Sequence, residues 1–299
     1  MTMRTHRRRW TLTGLLLATV LVVACGDDGN PLLEEEPRSK FQGQDGLYTV
    51  SSFESGARGK VFFTVYLPPG WSVGGTETYP LILFLHGQHG DEHYFRTRVP
   101  ESDLNTWIRD GLVPPFVLIA PRGADNIGTV QWYHDENVAL LTSDAPDELR
   151  AFAWETFRAG GSPERISVHG HSRGASGALH FTLNHWDLFA SAVANAFVSD
   201  YVLDDYREAA VENRDAIVQS GITLRMTIGT QDSFVLEDDR VGSPALHEHL
   251  DTLGIPHEYE VYPGVTHGFS SLWDYELSGG KQAGLYELQL HADAWDGGE

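Results

Sequence analysis

Residues 79–87 read YPLILFLHG, an apolar run of strand length with no polar face. A strand of that kind must be covered on both sides, which is the setting of a central strand in a parallel sheet. The pattern then repeats with helical stretches between. PFVLIAP is a strand and DELRAFAWETFRA an amphipathic helix. RISVHG is a strand and SRGASGALHFTLNH a helix rich in small residues. FASAVANAF, TLRMTIG and HEYEVYPG are further strands, separated by DDYREAAVENRDAIVQSG and SPALHEHLDTLG as helices, and KQAGLYELQLHADAW makes a last helix. Ahead of all of these, LYTVSS and KVFFTVYLP read as an antiparallel pair. Alternation of this kind predicts an α/β fold, a mostly parallel central sheet with helices on both faces. Loops at the carboxyl ends of its strands are where a site is built.

The N-terminus stands apart. MTMRTHRRRWTLTGLLLATVLVVAC has a basic start and a short apolar run ending in Val22-Val23-Ala24-Cys25. The run is short for a bilayer span and reads as a signal peptide over 1–24. Cys25 is the only cysteine, so no intramolecular disulfide can form. Its place resembles a bacterial lipobox, which implies a lipid anchor on Cys25 and an exported, membrane-anchored lipoprotein. The acidic stretch from Gly26 onward has no apolar periodicity, so 25–44 is expected to be a flexible tether and 45–299 one domain. Setting aside Arg4, Arg7, Arg8 and Arg9 leaves 17 basic against 42 acidic residues. Such a surface repels nucleic acid, which is excluded as a partner.

Chemistry concentrates at Gly170-His171-Ser172-Arg173-Gly174, a G-x-S-x-G set between a predicted strand and a predicted helix. That setting predicts a nucleophile elbow at Ser172, with Gly170 and Gly174 required because a side chain at either would strike neighbouring backbone. A serine hydroxyl needs a base. His267, in the loop after the last strand, is the candidate; His169 lies in a strand, and His171 is expected to point away from the serine. The imidazole needs an acid. Asp232 follows the penultimate strand and is favoured, giving the chain order Ser172, Asp232, His267; Asp200, Asp204, Asp205, Asp238 and Asp239 are rivals. An oxyanion would be held by the backbone N–H groups of Arg173 and of Gln88, with Gly87 letting the loop turn inward and His86 bracing it. His86, His89, Asp91 and His93 also invite a metal reading, but their spacing fits no familiar ligand pattern. Trp132, Tyr133, Phe234, Phe269 and Trp273 fall near the same loops, as pocket lining or, more simply, as core.

On these residues the chain resembles the α/β-hydrolases, and within them the esterase D and feruloyl esterase branch of bacterial secreted esterases. PLILFLHGQHGDE, VHGHSRGASGALHFTLNHWDLFASAVANA, GTQD with LHEHLDTLGIPHEYEVYPGVTHGF, and WYHDENV carry the resemblance, which spans most of 60–275. Arg173 departs from it, since the branch usually has an apolar residue there. That cation would either favour an acidic substrate or pair with a surface acid. THGF is similar to dienelactone hydrolases and prolyl-oligopeptidase-type peptidases. The resemblance implies a serine esterase that cleaves small-molecule or polymer-linked esters through an acyl-enzyme and needs no cofactor. A peptidase or acyltransferase on the same residues, or a non-catalytic surface-binding lipoprotein of this fold, are the alternatives.

Overall fold

The computed structural model describes residues 38–125, 127–198, 202–234 and 242–297. The proposed signal peptide and Cys25, and the rival acids Asp200, Asp238 and Asp239, lie outside the described residues.

An eight-stranded sheet runs through the domain. Its strands are β1 (Leu47–Ser55), β2 (Gly59–Leu67), β3 (Leu81–Leu85), β4 (Val117–Pro121), β5 (Ile166–His171), β6 (Ser191–Asn195), β7 (Thr223–Gly229) and β8 (Glu258–Tyr262). Their spatial order is β1-β2-β4-β3-β5-β6-β7-β8. The first two form a hairpin, Leu47 opposite Leu67 and Ser55 opposite Gly59, and β2 joins β4 antiparallel. All later pairings are parallel, as the apolar strand pattern requires.

Because side chains alternate across a strand, each apolar run feeds two cores. Leu81, Leu83 and Leu85 of β3 enter one layer; Ile82 and Phe84 enter the other. The first layer is closed by α2 (Asp135–Thr142), α3 (Leu149–Phe157), α4 (Arg173–Asn184), α5 (Leu203–Ser220) and α6 (Gly242–Leu253). The second is closed by α1 (Glu101–Arg109), α7 (Phe269–Trp273) and α8 (Ala283–Asp296), which bring Leu104, Trp107, Phe269, Trp273, Leu288 and Trp295 against the sheet. Helices α1, α2 and α7, of nine, eight and five residues, add to those the sequence pattern predicts. The α5 helix is an ordinary crossover, buried through Leu203, Tyr206, Ala210 and Ile217.

One expectation is corrected. Residues 38–44, expected to lie in the tether, pack on the domain. Residues 39–41 form a short 3₁₀ turn that buries the Phe41 ring completely, edge-on to Phe157 at 4.8 Å. Arg38 donates to the Glu155 carbonyl, and Thr49 donates to Gln44 at 3.0 Å. One aromatic in a polar stretch leaves no periodicity to read, yet its burial holds the segment on the domain.

Candidate active site

The carboxyl ends of β3, β5, β7 and β8 all open on one rim of the sheet, and Gln88, Ser172, Asp232 and His267 follow those four strands in turn. Ser172 sits between β5 and α4 with φ +57° and ψ −116°, a conformation that costs a non-glycine residue about 1–3 kcal/mol. The surroundings enforce it. The Ser172 N–H donates to the Asn195 carbonyl at 2.9 Å. A Cβ on Gly170 would land on the Gly174 carbonyl, and one on Gly174 would land on the carbonyl of Leu85. Only glycine fits at either position, so strand and helix can meet at this turn.

Asp232, in the turn leaving β7, is fully buried. One carboxylate oxygen accepts the Phe234 N–H at 3.0 Å, and the other faces His267 Nδ1 at 2.7 Å. A carboxylate only accepts, so Nδ1 carries the proton and Nε2 presents its lone pair. The Ser172 hydroxyl lies 2.9 Å from that Nε2 and is oriented to donate to it. Three side chains separated by up to 95 residues thus form one hydrogen-bonded line. Of the rival acids within the described residues, Asp204 pairs with Arg207 on the solvent face of α5, and Asp205 is likewise exposed on that helix.

His171 does not bond the serine, but neither does it leave the site. Its ring lies 5.1 Å from that of His267. Its Nε2–H donates to the His267 carbonyl at 2.7 Å, and its Nδ1 accepts from the Tyr94 hydroxyl at 2.9 Å. Burial first, and the neighbouring His267 second, push the His171 pKa down to about 3, so the ring is neutral. Tyr94 was invisible to the sequence reading, because HYFR carries no spacing that points to a partner 77 residues away.

The loop after β3 passes against Ser172: a Cβ on Gly87 would lie 3.1 Å from Ser172 Cβ. His86 fixes this loop. Its Nδ1–H donates to the Gly87 carbonyl at 2.8 Å, its Nε2 accepts the Gly123 N–H at 3.0 Å, and its carbonyl accepts Trp132 Nε1–H at 2.9 Å. Burial lowers the His86 pKa to about 4, which keeps it in this neutral bridging form. His89 adopts φ +62° beside it. Gln88 is exposed, donating its side-chain amide to the Gly128 carbonyl at 3.1 Å. Arg173 is partly exposed and approaches Gln88 Oε1 at 3.4 Å. His93, from the sequence's histidine-rich stretch, accepts from Arg96 at 3.1 Å, while His86 is occupied by the loop.

A cleft of about 620 Å³ opens over Ser172, walled by Tyr94, Tyr133, Val198 and Phe234, with Gln88 and Arg173 on its polar side. Phe234 is 66% exposed and stands 4.6 Å from the His267 ring, so it is free to meet a ligand. Trp132, Phe269 and Trp273 are core residues. Trp132 acts at one remove, by holding the His86 carbonyl.

The sheet order, the strand–turn–helix at Ser172 and the layered helices define an α/β-hydrolase fold. The chain belongs to the esterase family, whose pattern it matches over residues 57–283, and it is a carboxylic ester hydrolase. Solved structures agree on the fold. A ferulic acid esterase superposes with a TM-score of 0.67 at 17% identity, covering 83% of this chain and 98% of the other. A ferulic acid esterase from Anaeromyces mucronatus, solved with ferulic acid, gives 0.61 at 18% identity, with 83% and 91% covered. The S-formylglutathione hydrolase of Staphylococcus aureus gives 0.57 at 19%, with 82% and 98% covered.

Proposed function

We propose that the protein is a serine esterase that works by two acyl transfers, with Ser172 as nucleophile, His267 as base and Asp232 as the acid that orients it. The observation that carries this reading is the unbroken line from the Ser172 hydroxyl through His267 to buried Asp232, at 2.9 and 2.7 Å. As Ser172 Oγ bonds to the ester carbonyl carbon, its proton passes to His267 Nε2, and Asp232 stabilises the imidazolium. The carbonyl oxygen, now negative, takes the backbone N–H of Arg173 and of Gln88, donors fixed before the charge appears. Collapse expels the alcohol, which takes the proton back from His267. Water then repeats the sequence, losing its proton to His267, adding to the acyl carbon and releasing the acid and free Ser172. Every atom and proton balances with these groups alone, so no cofactor is called for.

The substrate is a small ester, or an ester on a polymer, with a flat or apolar group seated against Tyr94, Tyr133 and Phe234. The cleft is open and aromatic, and similar folds have been solved with ferulic acid and with sinapinate. The enzyme works outside the cytoplasm on a lipid anchor at Cys25, with the segment before Arg38 as tether. A lone cysteine closing an apolar N-terminal run supports that part; metabolic labelling with a fatty acid, lost in Cys25→Ala, checks it.

The catalytic reading is tested with Ser172→Ala on p-nitrophenyl acetate and p-nitrophenyl butyrate. The wild type turns both over and the folded variant falls to the uncatalysed rate. Equal activity in the two proteins would remove Ser172 from the mechanism.

A further inference from the structure

On the side of β8 remote from its active-site loop, three ligand-bearing residues that the esterase mechanism does not use converge. His247 and Asp251 are one turn apart on α6 and therefore share a face. His257 lies just before β8. One imidazole nitrogen from each histidine and a carboxylate oxygen of Asp251 all lie within 4.8 Å of one another. We propose that this cluster is a binding site for a borderline divalent transition-metal ion such as Zn²⁺, which ties α6 to the edge strand β8.

The geometry has the features such a site needs. The His257 Nδ1–H donates to the Ile255 carbonyl at 2.8 Å. A carbonyl only accepts, so this bond leaves the lone pair on Nε2, aimed at His247. It is the backbone contact that sets tautomer and ring angle in metal-bound histidines. The His247 ring is stacked on Tyr259 at 4.2 Å, with 21° between planes, so its orientation is fixed too. His247 Nδ1 and His257 Nε2 face each other at 2.8 Å. Without metal, one proton lies between them, donated by His247. With metal, that proton moves to His247 Nε2, both facing nitrogens offer lone pairs, and the rings part to about 3.3 Å, the spacing of two tetrahedral Zn–N bonds. The motion is about half an ångström, within reach of two partly exposed side chains.

Charge and access fit as well. Asp251 is exposed and leaves an entry path, with water to complete the coordination shell. The carboxylates of Asp251 and Glu248 set negative charge beside His247. Two imidazoles and one carboxylate select Zn²⁺, Co²⁺, Ni²⁺ or Cu²⁺ over Mg²⁺ and Ca²⁺, which take oxygen ligands. Binding would pin β8, the strand whose following loop carries His267.

The experiment is titration calorimetry of full-length, EDTA-treated protein with ZnCl₂ at pH 7.5, alongside His257→Asn and the exposed-site variant Asp251→Asn. One Zn²⁺ per chain is expected, weakened tenfold or more in each variant. At a hundredfold excess over Kd, the wild-type melting temperature should rise by about 5 °C and that of the variants much less. Ester turnover of both variants without metal should match the wild type, since neither residue touches the cleft. Cu²⁺ bound at one equivalent should show two nitrogen couplings by electron paramagnetic resonance. This last readout keeps the test decisive if His257→Asn folds poorly. No stoichiometric binding by the wild type, undiminished binding by Asp251→Asn and His257→Asn, or a Cu²⁺ spectrum without two nitrogens would each overturn the assignment.

Discussion

Asp232→Asn isolates the part of the mechanism that depends on one proton's position. The side chain keeps its shape and its burial, and one amide orientation still accepts the Phe234 N–H with Oδ1. The other end now presents an NH₂ donor to His267 Nδ1 across 2.7 Å. Two donors cannot share that line, so the imidazole proton moves to Nε2 and points at the Ser172 hydroxyl. The base has then lost its lone pair where it is needed. Water cannot repair the contact, because Asp232 is wholly inaccessible. The structure thus asks for both a misplaced proton and the loss of a charge that stabilises the imidazolium, together about four decades of rate or ~5 kcal/mol. The assay is kcat on p-nitrophenyl acetate between pH 6 and 9, with a thermal melt to show that the variant is folded. A folded Asp232→Asn protein that keeps kcat within threefold of wild type would refute the reasoning and return the role to Asp200, Asp238 or Asp239.

Three other expectations follow from contacts around the site. Gly174→Ala forces a methyl group onto the Leu85 carbonyl; it should cost about 4 kcal/mol and lower the melting temperature by roughly 10 °C or prevent folding, as a circular-dichroism melt would show, whereas an unchanged melt would mean the turn is not steric in origin. His171→Phe keeps a ring but strands the Tyr94 hydroxyl and the His267 carbonyl without a partner, so kcat should fall about ten- to hundredfold with KM nearly unchanged; an equal rise in KM would point to a binding role instead. Glu287, buried beside Asn195 and His169, has its pKa raised by burial from the ordinary 4.5 to about 7, so the folded chain holds a proton there that the unfolded chain has released; its contribution to stability is complete below pH 4.5 and drains away as pH rises towards 7, by about 3 kcal/mol. Urea midpoints at pH 5 and pH 8 should therefore differ less in Glu287→Gln than in the wild type, and an identical difference would sink that account.

Central strands were legible because each needs apolar residues on both faces, and β3 and β4 therefore appear as unbroken runs. That Ser172, Asp232 and His267 would meet was legible because chain order and strand ends narrow the choice to a few loops. Other contacts left no trace. The Tyr94 hydroxyl, the His171 ring and the His267 carbonyl meet only because the segments after β3 and β8 converge on the end of β5. Likewise, Trp132 holds the His86 carbonyl from 46 residues away, and its indole looked only like core or pocket lining. Phe41 shows the opposite limit: polarity around it suggested a tether, but one buried ring outweighs its neighbours. The His247–His257 pair was missed because helix and strand spacings do not add to any single motif.

The central claim is that His267 turns Ser172 into the group that takes the acyl chain. Intact-mass and peptide mapping after brief exposure to a fluorophosphonate measures that directly. One adduct per chain is expected, on the peptide containing Ser172, forming at least a hundredfold more slowly in His267→Ala. Modification at another residue, or an undiminished rate in His267→Ala, would contradict the account.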